Sequence, residues 1–208
     1  MTQLDERART AFILNSNLPE VQLLSAIAGD FGLLIKPKTK INILSELNRY
    51  LIEQLKLGYN VVLIIDEAQN LRAAQLEQIR LLSNLETDKE KLIQIILVGQ
   101  PELRVKLDSP ELEQLRQRIA VRYHILPLDR MEIDAYIYHR LHIAGSDGNI
   151  KFDPDAISEI YEYSGGIPRL INLVCDRALL LGFVTETKNI SMDMIKHAVE
   201  EIEGCVKI

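Results

Sequence analysis

An α/β fold, a parallel sheet with crossover helices followed by a small all-helical domain, is predicted by three features of this sequence. Short β-branched runs alternate with amphipathic stretches through the first two-thirds of the chain, the pattern of strands buried on both faces and covered by helices. After Asp129 the strand-like runs stop and only helical periodicity remains. The 208 residues, 47% hydrophobic and 26% charged, suffice for a full core in one domain plus a small appendage.

Four strands are predicted, over 10–14 (TAFIL), 61–65 (VVLII), 93–98 (IQIILV) and, shorter, 120–125 (AVRYHI), each rich in β-branched residues and largely free of charge. A helix over 19–30 places Val21, Leu24, Ile27 and Ala28 on one stripe, and a helix over 41–57 does the same with Ile41, Leu44, Leu47, Leu51 and Leu55. A third, over 73–85, turns Leu76, Ile79, Leu82 and Leu85 inward and Glu77 and Arg80 outward, with Asn70 as its N-cap. Beyond residue 129, helices are predicted over 130–143, 154–163, 168–183 and 191–202. Asp153-Pro154, Ile167-Pro168 and Ser191 open three of them, by capping or by proline in the first turn. The stretch 145–149 (GSDGN) reads as a linker, dividing an α/β domain, 1–145, from a helical domain, 146–208.

Composition narrows the function. The 24 basic against 30 acidic side chains give a net charge of −6, which argues against nucleic-acid binding through bulk positive charge. No apolar run approaches the roughly 20 residues of a spanning helix, and the opening MTQLDERART is charged where a signal peptide is hydrophobic. A cytoplasmic protein without a transmembrane segment is expected. Cys175 and Cys205 lack CxxC spacing and read as small core or surface residues. His139 and His142 stand three apart on one helix without an evident third ligand, so they read as surface residues, not a metal site.

The residues that carry chemistry begin at Asp66-Glu67, directly after the run VVLII. Ligands of open α/β sheets sit at the carboxyl ends of strands. An Asp there can hold a hydrated Mg²⁺ between nucleotide phosphates, and the following Glu can orient the attacking water. An acidic pair is also an ordinary polar exit from a strand, and the same double reading holds for Gln100. That residue, in Gly99-Gln100-Pro101, brings an amide to the same edge one crossover later, or is simply a turn residue. Arg116 and Arg118 follow in LRQRI, suited to a neighbouring subunit's phosphate or to a salt-bridged helix face. Pro168-Arg169 opens a helix after Gly165-Gly166, with Arg169 either a ligand group or a surface arginine.

In this order the features resemble the AAA+ ATPase family over nearly the whole chain. The strand ending in Asp66-Glu67 looks like its Walker B motif, with Asp66 as the metal-holding residue, and Gln100 looks like sensor 1. Arg118, with Arg116 as the nearby competitor, looks like the arginine finger. Pro168-Arg169 looks like sensor 2 on the helical lid. The stretches IIDEAQNL, LLSNLET, LVGQPELR, LRQRIAVRYH and SGGIPRLINLVCDRALLLG resemble the ExeA, or general secretion pathway A, type of bacterial ATPase, whose relatives are encoded with exosortase and polysaccharide-export loci. The resemblance implies ATP and Mg²⁺ as cofactors and a ring or dimer with the nucleotide between subunits. It also implies a location at the inner face of the inner membrane through a partner protein.

One family element is absent. The phosphate-holding loop, G-x-x-x-x-G-K-[ST], requires a Gly-Lys step, and none of the ten glycines is followed by lysine. The resemblance places that loop and its strand before Met1, with the strand between those matching 120–125 and 93–98. The expectation is therefore an N-terminally incomplete copy of the ATPase core, with two inner strand edges unpaired. Two other functions fit the same residues. A DNA-transaction regulator of the transposition TniB type would use Lys36, Lys38 and Lys40, which otherwise read as a solvated loop. A non-catalytic remnant would act as an interaction module.

Overall fold

The computed structural model describes residues 7–14, 18–87 and 90–204. The chain forms two compact units, Met1–Arg122 and Tyr123–Ile208. The division falls before the GSDGN stretch, because the helix ahead of that stretch sends Ile133 and Ile137 into the core of the second unit. Apolar contact, not glycine content, sets the division.

The first unit runs β1 (Ala8–Ile13), α1 (Glu20–Asp30), α2 (Lys40–Lys56), β2 (Asn60–Ile65), α3 (Ala73–Ser83), β3 (Gln94–Leu97), α4 (Pro101–Leu107) and α5 (Glu113–Arg118). Its strands lie in the order β1-β2-β3, all parallel, with Ile13 opposite Ile65 and Ile65 opposite Leu97. All three carboxyl ends therefore share one edge. The middle strand is the most apolar, and Leu63 and Ile65 are fully buried against Leu24 and Ile27 of α1, Leu47 and Leu51 of α2, and Leu76 and Ile79 of α3. The inward stripes include Leu23 and Ile43 and leave Val21 and Ile41, both in a first helical turn, exposed. Asn70 does not cap α3. It ends a 3-10 turn over Ala68–Asn70, and the helix is entered through Arg72, whose N–H donates to Gln75 Oε1 at 2.7 Å.

The two outer edges of the sheet differ. On β1 the hydrogen bond from Asp66 N–H to Ile13 O turns Ile13 toward β2, so by alternation Phe12 presents its N–H outward. The Asp30 carboxylate accepts that N–H at 2.6 Å. On β3, Val98 donates its N–H to Ile65 O and accepts from Ala68 N–H. Ile95 and Leu97 therefore point their backbone groups away from β2, at an edge with no neighbouring strand among the described residues. Residues 120–125, predicted as a strand, form none. A strand persists only when hydrogen-bonded to another, and Val121, Tyr123 and Ile125 are instead 81%, 88% and 81% exposed.

The second unit contains α6 (Glu132–Ile143), β4 (Lys151–Phe152), α7 (Pro154–Ser164), α8 (Pro168–Val184), β5 (Asn189–Ile190) and α9 (Met192–Ile202). It is not all-helical, because β4 and β5 pair in parallel and bury Phe152 and Ile190. Pro154 and Pro168 stand in first turns, and Ser191 caps α9 by accepting Met194 N–H. Ile160, Ile171, Val174, Ala178 and Ile195 complete the core. Cys175 belongs to it. Burial, helped by the Asp176 charge, pushes its thiol up to about 12. Cys205 lies outside the described residues.

Two outcomes follow. Asp30→Ala is expected to lower stability by about 1–2 kcal/mol in chemical denaturation, the range for a hydrogen bond to a charged group moderated by exposure; an unchanged midpoint would show the capped edge to be unimportant. The raised thiol keeps its proton to higher pH in the folded state, so this group's stabilisation is complete below about pH 9 and declines as pH rises toward 12. In a Cys205→Ser background, a thiol reagent at pH 8 is expected to label Cys175 only on unfolding. Rapid labelling of the native chain would contradict its burial.

Candidate functional site at the carboxyl edge of the sheet

At the end of β2 the chain turns sharply. Asp66 holds the last register position through its N–H to Ile13 O, and its Oδ1 accepts the N–H of Glu67 at 2.8 Å. Glu67 adopts a left-handed backbone with φ 51°, a conformation that costs a non-glycine residue about 1–2 kcal/mol. Several bonds hold it there. Ala68, fully buried, donates to Val98 O at 2.9 Å, and Asn70 donates to Glu67 O at 2.9 Å. The Lys106 ammonium binds the carbonyls of Gln69 and Leu71, the latter at 2.8 Å. The reversal sends Ala68 into the core and leaves the Glu67 carboxylate exposed at the edge.

The end of β3 meets this turn. Gln100 precedes Pro101 at the start of α4 and donates its side-chain Nε2–H to Glu67 Oε2 at 3.3 Å. Glu67 and Gln100 are thus brought together across two strand ends. Gln69, which the sequence reading did not single out, joins them: its Nε2 donates to the same Glu67 Oε2 at 2.5 Å, and its Oε1 accepts Gln100 N–H at 3.1 Å. The signal for it was its place two residues after Glu67 in a tight turn, where a long amide can reach back. Gly99 leaves room for it, since a Cβ there would lie 2.7 Å from Gln69 Oε1.

The arginines are handled differently. Arg116 Nη1 reaches Asp108 O at 3.5 Å, and Arg122 pairs with the Asp108 carboxylate at 3.5 Å. Arg118, exposed at the end of α5, has no hydrogen bond or ion pair among the described residues. Lys36 and Lys38 are exposed, whereas Lys40 faces Glu20 at 4.0 Å.

In the second unit Pro168 and Arg169 occupy the exposed first turn of α8. The turn before them is fixed by two glycines. Gly165 ends α7 with φ 55°, and Gly166, at φ 78°, accepts Leu128 N–H at 2.9 Å and donates to Ser164 Oγ at 3.2 Å. A Cβ on Gly166 would stand 1.9 Å from Leu128 O.

These residues fit one end of a Mg²⁺–nucleotide and not the other. A single half-exposed carboxylate, Asp66, suits Mg²⁺, which keeps most of its waters and takes the rest of its ligands from phosphates. With no Gly-Lys step in the sequence, no phosphate-cradling loop of the usual kind is provided.

A parallel sheet with an acidic pair at its carboxyl edge and a small helical second unit is the arrangement of AAA+ P-loop ATPases, and solved structures of that class share the fold. Cdc6p from Pyrobaculum aerophilum matches with a TM-score of 0.70 at 18% identity, over 94% of this chain and 53% of that one. The ADP form of Aeropyrum pernix ORC2 matches at 0.68 and 18% identity, over 93% and 53%. The Thermotoga maritima RuvB Holliday junction branch migration motor matches at 0.54 and 17%, over 92% and 61%. Residues 1–107 match the model of the AAA domain, and the chain belongs to that family. It is also 45% identical over 205 residues to the general secretion pathway protein A of Aeromonas hydrophila; the match covers 98% of this chain and 37% of that protein's length.

Gly166→Ala is expected to destabilise the second unit by about 3 kcal/mol, combining a clash with backbone and a left-handed φ. Thermal unfolding of the variant measures this, and a native-like midpoint would mean that the Leu128 segment yields easily.

Proposed function

We propose that these residues are the Walker B, sensor and lid portion of an ATP-hydrolysing AAA+ ATPase of a general secretion or related envelope-assembly system, working at the inner face of the inner membrane. The observation that carries the ATPase reading is the joining of Glu67, at the end of β2, to Gln100, at the end of β3. Identity of 45% to a general secretion pathway protein A supports the pathway. Asp66 would hold the Mg²⁺ and Glu67 would orient the lytic water. Gln100 would contact the γ-phosphate, and Pro168-Arg169 would bring the lid to the nucleotide.

The phosphate loop would reach the site on a further strand paired to the open edge of β3. That edge is the reason for placing it there, because the opposite edge is blocked by Asp30. Arg118 is favoured over Arg116 as the residue offered to a neighbouring subunit, since Arg116 is already engaged by Asp108. The active form is accordingly an oligomer of this protein. Among the described residues no helix is long and apolar enough to cross a membrane; contact with the inner membrane through a partner is proposed from the likeness to the secretion protein alone.

The 208 residues alone are expected to bind Mg·ATP far more weakly than the protein completed by that loop, and equally tight binding would overturn the placement of the loop. In the completed protein, Glu67→Gln is expected to keep ATP binding and lose turnover by about 10²-fold or more, and Arg118→Ala to lose turnover in the assembled form. Mixing the two variants restores activity if Arg118 acts across the interface. A mixture as inactive as either variant would contradict that role.

A further inference from the structure

We propose that Gln69 is a positioning residue of this site, which ties the Glu67 carboxylate to the end of β3 so that Glu67 and Gln100 act as one unit. This rests on the ATPase reading above. Glu67 stands on a left-handed turn at an exposed edge, and its carboxylate is reached there from both strand ends. The two ends of the Gln69 amide do opposite work. Its Nε2–H donates to Glu67 Oε2 at 2.5 Å, while its Oε1 accepts the backbone N–H of Gln100 at 3.1 Å. Gln100 Nε2–H donates to the same carboxylate oxygen at 3.3 Å. A closed ring of three residues results: Gln69 holds the Glu67 carboxylate and the Gln100 main chain, and the Gln100 side chain returns to the same carboxylate oxygen.

Two further features hold Gln69 itself in place. Its carbonyl is bound by the Lys106 ammonium from α4, the helix that Gln100 begins. Its side-chain oxygen fills the space that a Cβ at position 99 would take, 2.7 Å from such an atom. The turn carrying Glu67 and the helix carrying Gln100 are therefore joined through Gln69 on both its main chain and its side chain. The Gln69 amide offers an acceptor to the Gln100 N–H and a donor to the Glu67 carboxylate from one side-chain end. A glutamate would repel Glu67, and an asparagine is one methylene too short.

The consequence is a loss of orientation rather than of nucleotide binding. Misplacement of a catalytic group by about 1 Å can cost on the order of 10²-fold in rate, so Gln69→Met, which keeps length and removes both bonds, is expected to lower kcat by about 10²-fold. KM and the Mg·ATP dissociation constant should stay within about twofold, because both side-chain bonds of Gln69 serve to place Glu67 and Gln100. Gly99→Ala, which evicts the Gln69 side chain without altering any polar group, is expected to reproduce this kcat loss.

The test is carried out on the protein completed by its phosphate loop, with four proteins measured side by side: wild type, Glu67→Gln, Gln69→Met, and the double variant. Steady-state ATPase activity gives kcat and KM, and amide exchange reports the Gln100 N–H. The expected result is a kcat-only loss in Gln69→Met, no further loss when it is added to Glu67→Gln, and faster exchange at Gln100 in Gln69→Met. Wild-type turnover with a sensitive Glu67 but an unaffected Gln69→Met would overturn the role of Gln69 alone. Equal losses that multiply in the double variant would also overturn it, since they would mean that Gln69 acts independently of Glu67. A wild type without turnover would overturn the ATPase reading, and the catalytic role of Gln69 with it.

Discussion

Two hydrogen bonds at Val98, accepting from Ala68 and donating to Ile65, determine how the ends of β2 and β3 meet, and the candidate site depends on them. They close the sheet at its carboxyl edge and fix where the chain can turn after Asp66. Because Ala68 must return to β3, Glu67 has to reverse the chain in one residue, and it does so in a left-handed conformation. Strain of this kind persists only where the surroundings over-determine it. The buried Ala68 side chain and the Lys106 ammonium on the carbonyls of Gln69 and Leu71 provide that.

The sheet is finished on one side and open on the other. Asp30 meets the outward N–H of Phe12 at β1, a common means of blunting an edge. At β3 the outward backbone groups of Ile95 and Leu97 have no strand beside them among the described residues, and Ile96 and Val98 are about half exposed. The predicted strand over 120–125 is absent for a related reason. Its apolar residues suit a sheet interior, but such a run becomes a strand only beside a partner. The proposed phosphate-loop strand would pair with this same edge of β3.

Much of the first unit was legible in the sequence because strands buried on both faces are written as unbroken β-branched runs: VVLII and IQIILV became β2 and β3, and the alternation with helices gave a parallel sheet whose ends carry Asp66, Glu67 and Gln100 together. Local signals failed where tertiary contact decides. The stripes of α1 and α2 admitted Leu23 and Ile43 at the expense of Val21 and Ile41, a choice set by which turns lie over the sheet. The two-residue strands β4 and β5 are too short to leave a periodicity. The boundary between the units followed the burial of Ile133 and Ile137, which a glycine-rich stretch after the helix does not disclose. Gln69 carries no local signal of its role, which lies in two bonds, one of them to a residue 31 positions away.

The open edge of β3 can be read directly by amide hydrogen exchange of the 208 residues. Ile95 and Leu97, pointing away from β2, are expected to exchange rapidly, while Ile96 and Val98, bonded to β2, are protected. Ile95 and Leu97 should then become protected in the protein that carries the phosphate-loop strand. Protection of Ile95 and Leu97 equal to that of their neighbours in the 208 residues alone would mean that the edge is already closed, and would contradict the proposed placement of a phosphate-loop strand beside β3.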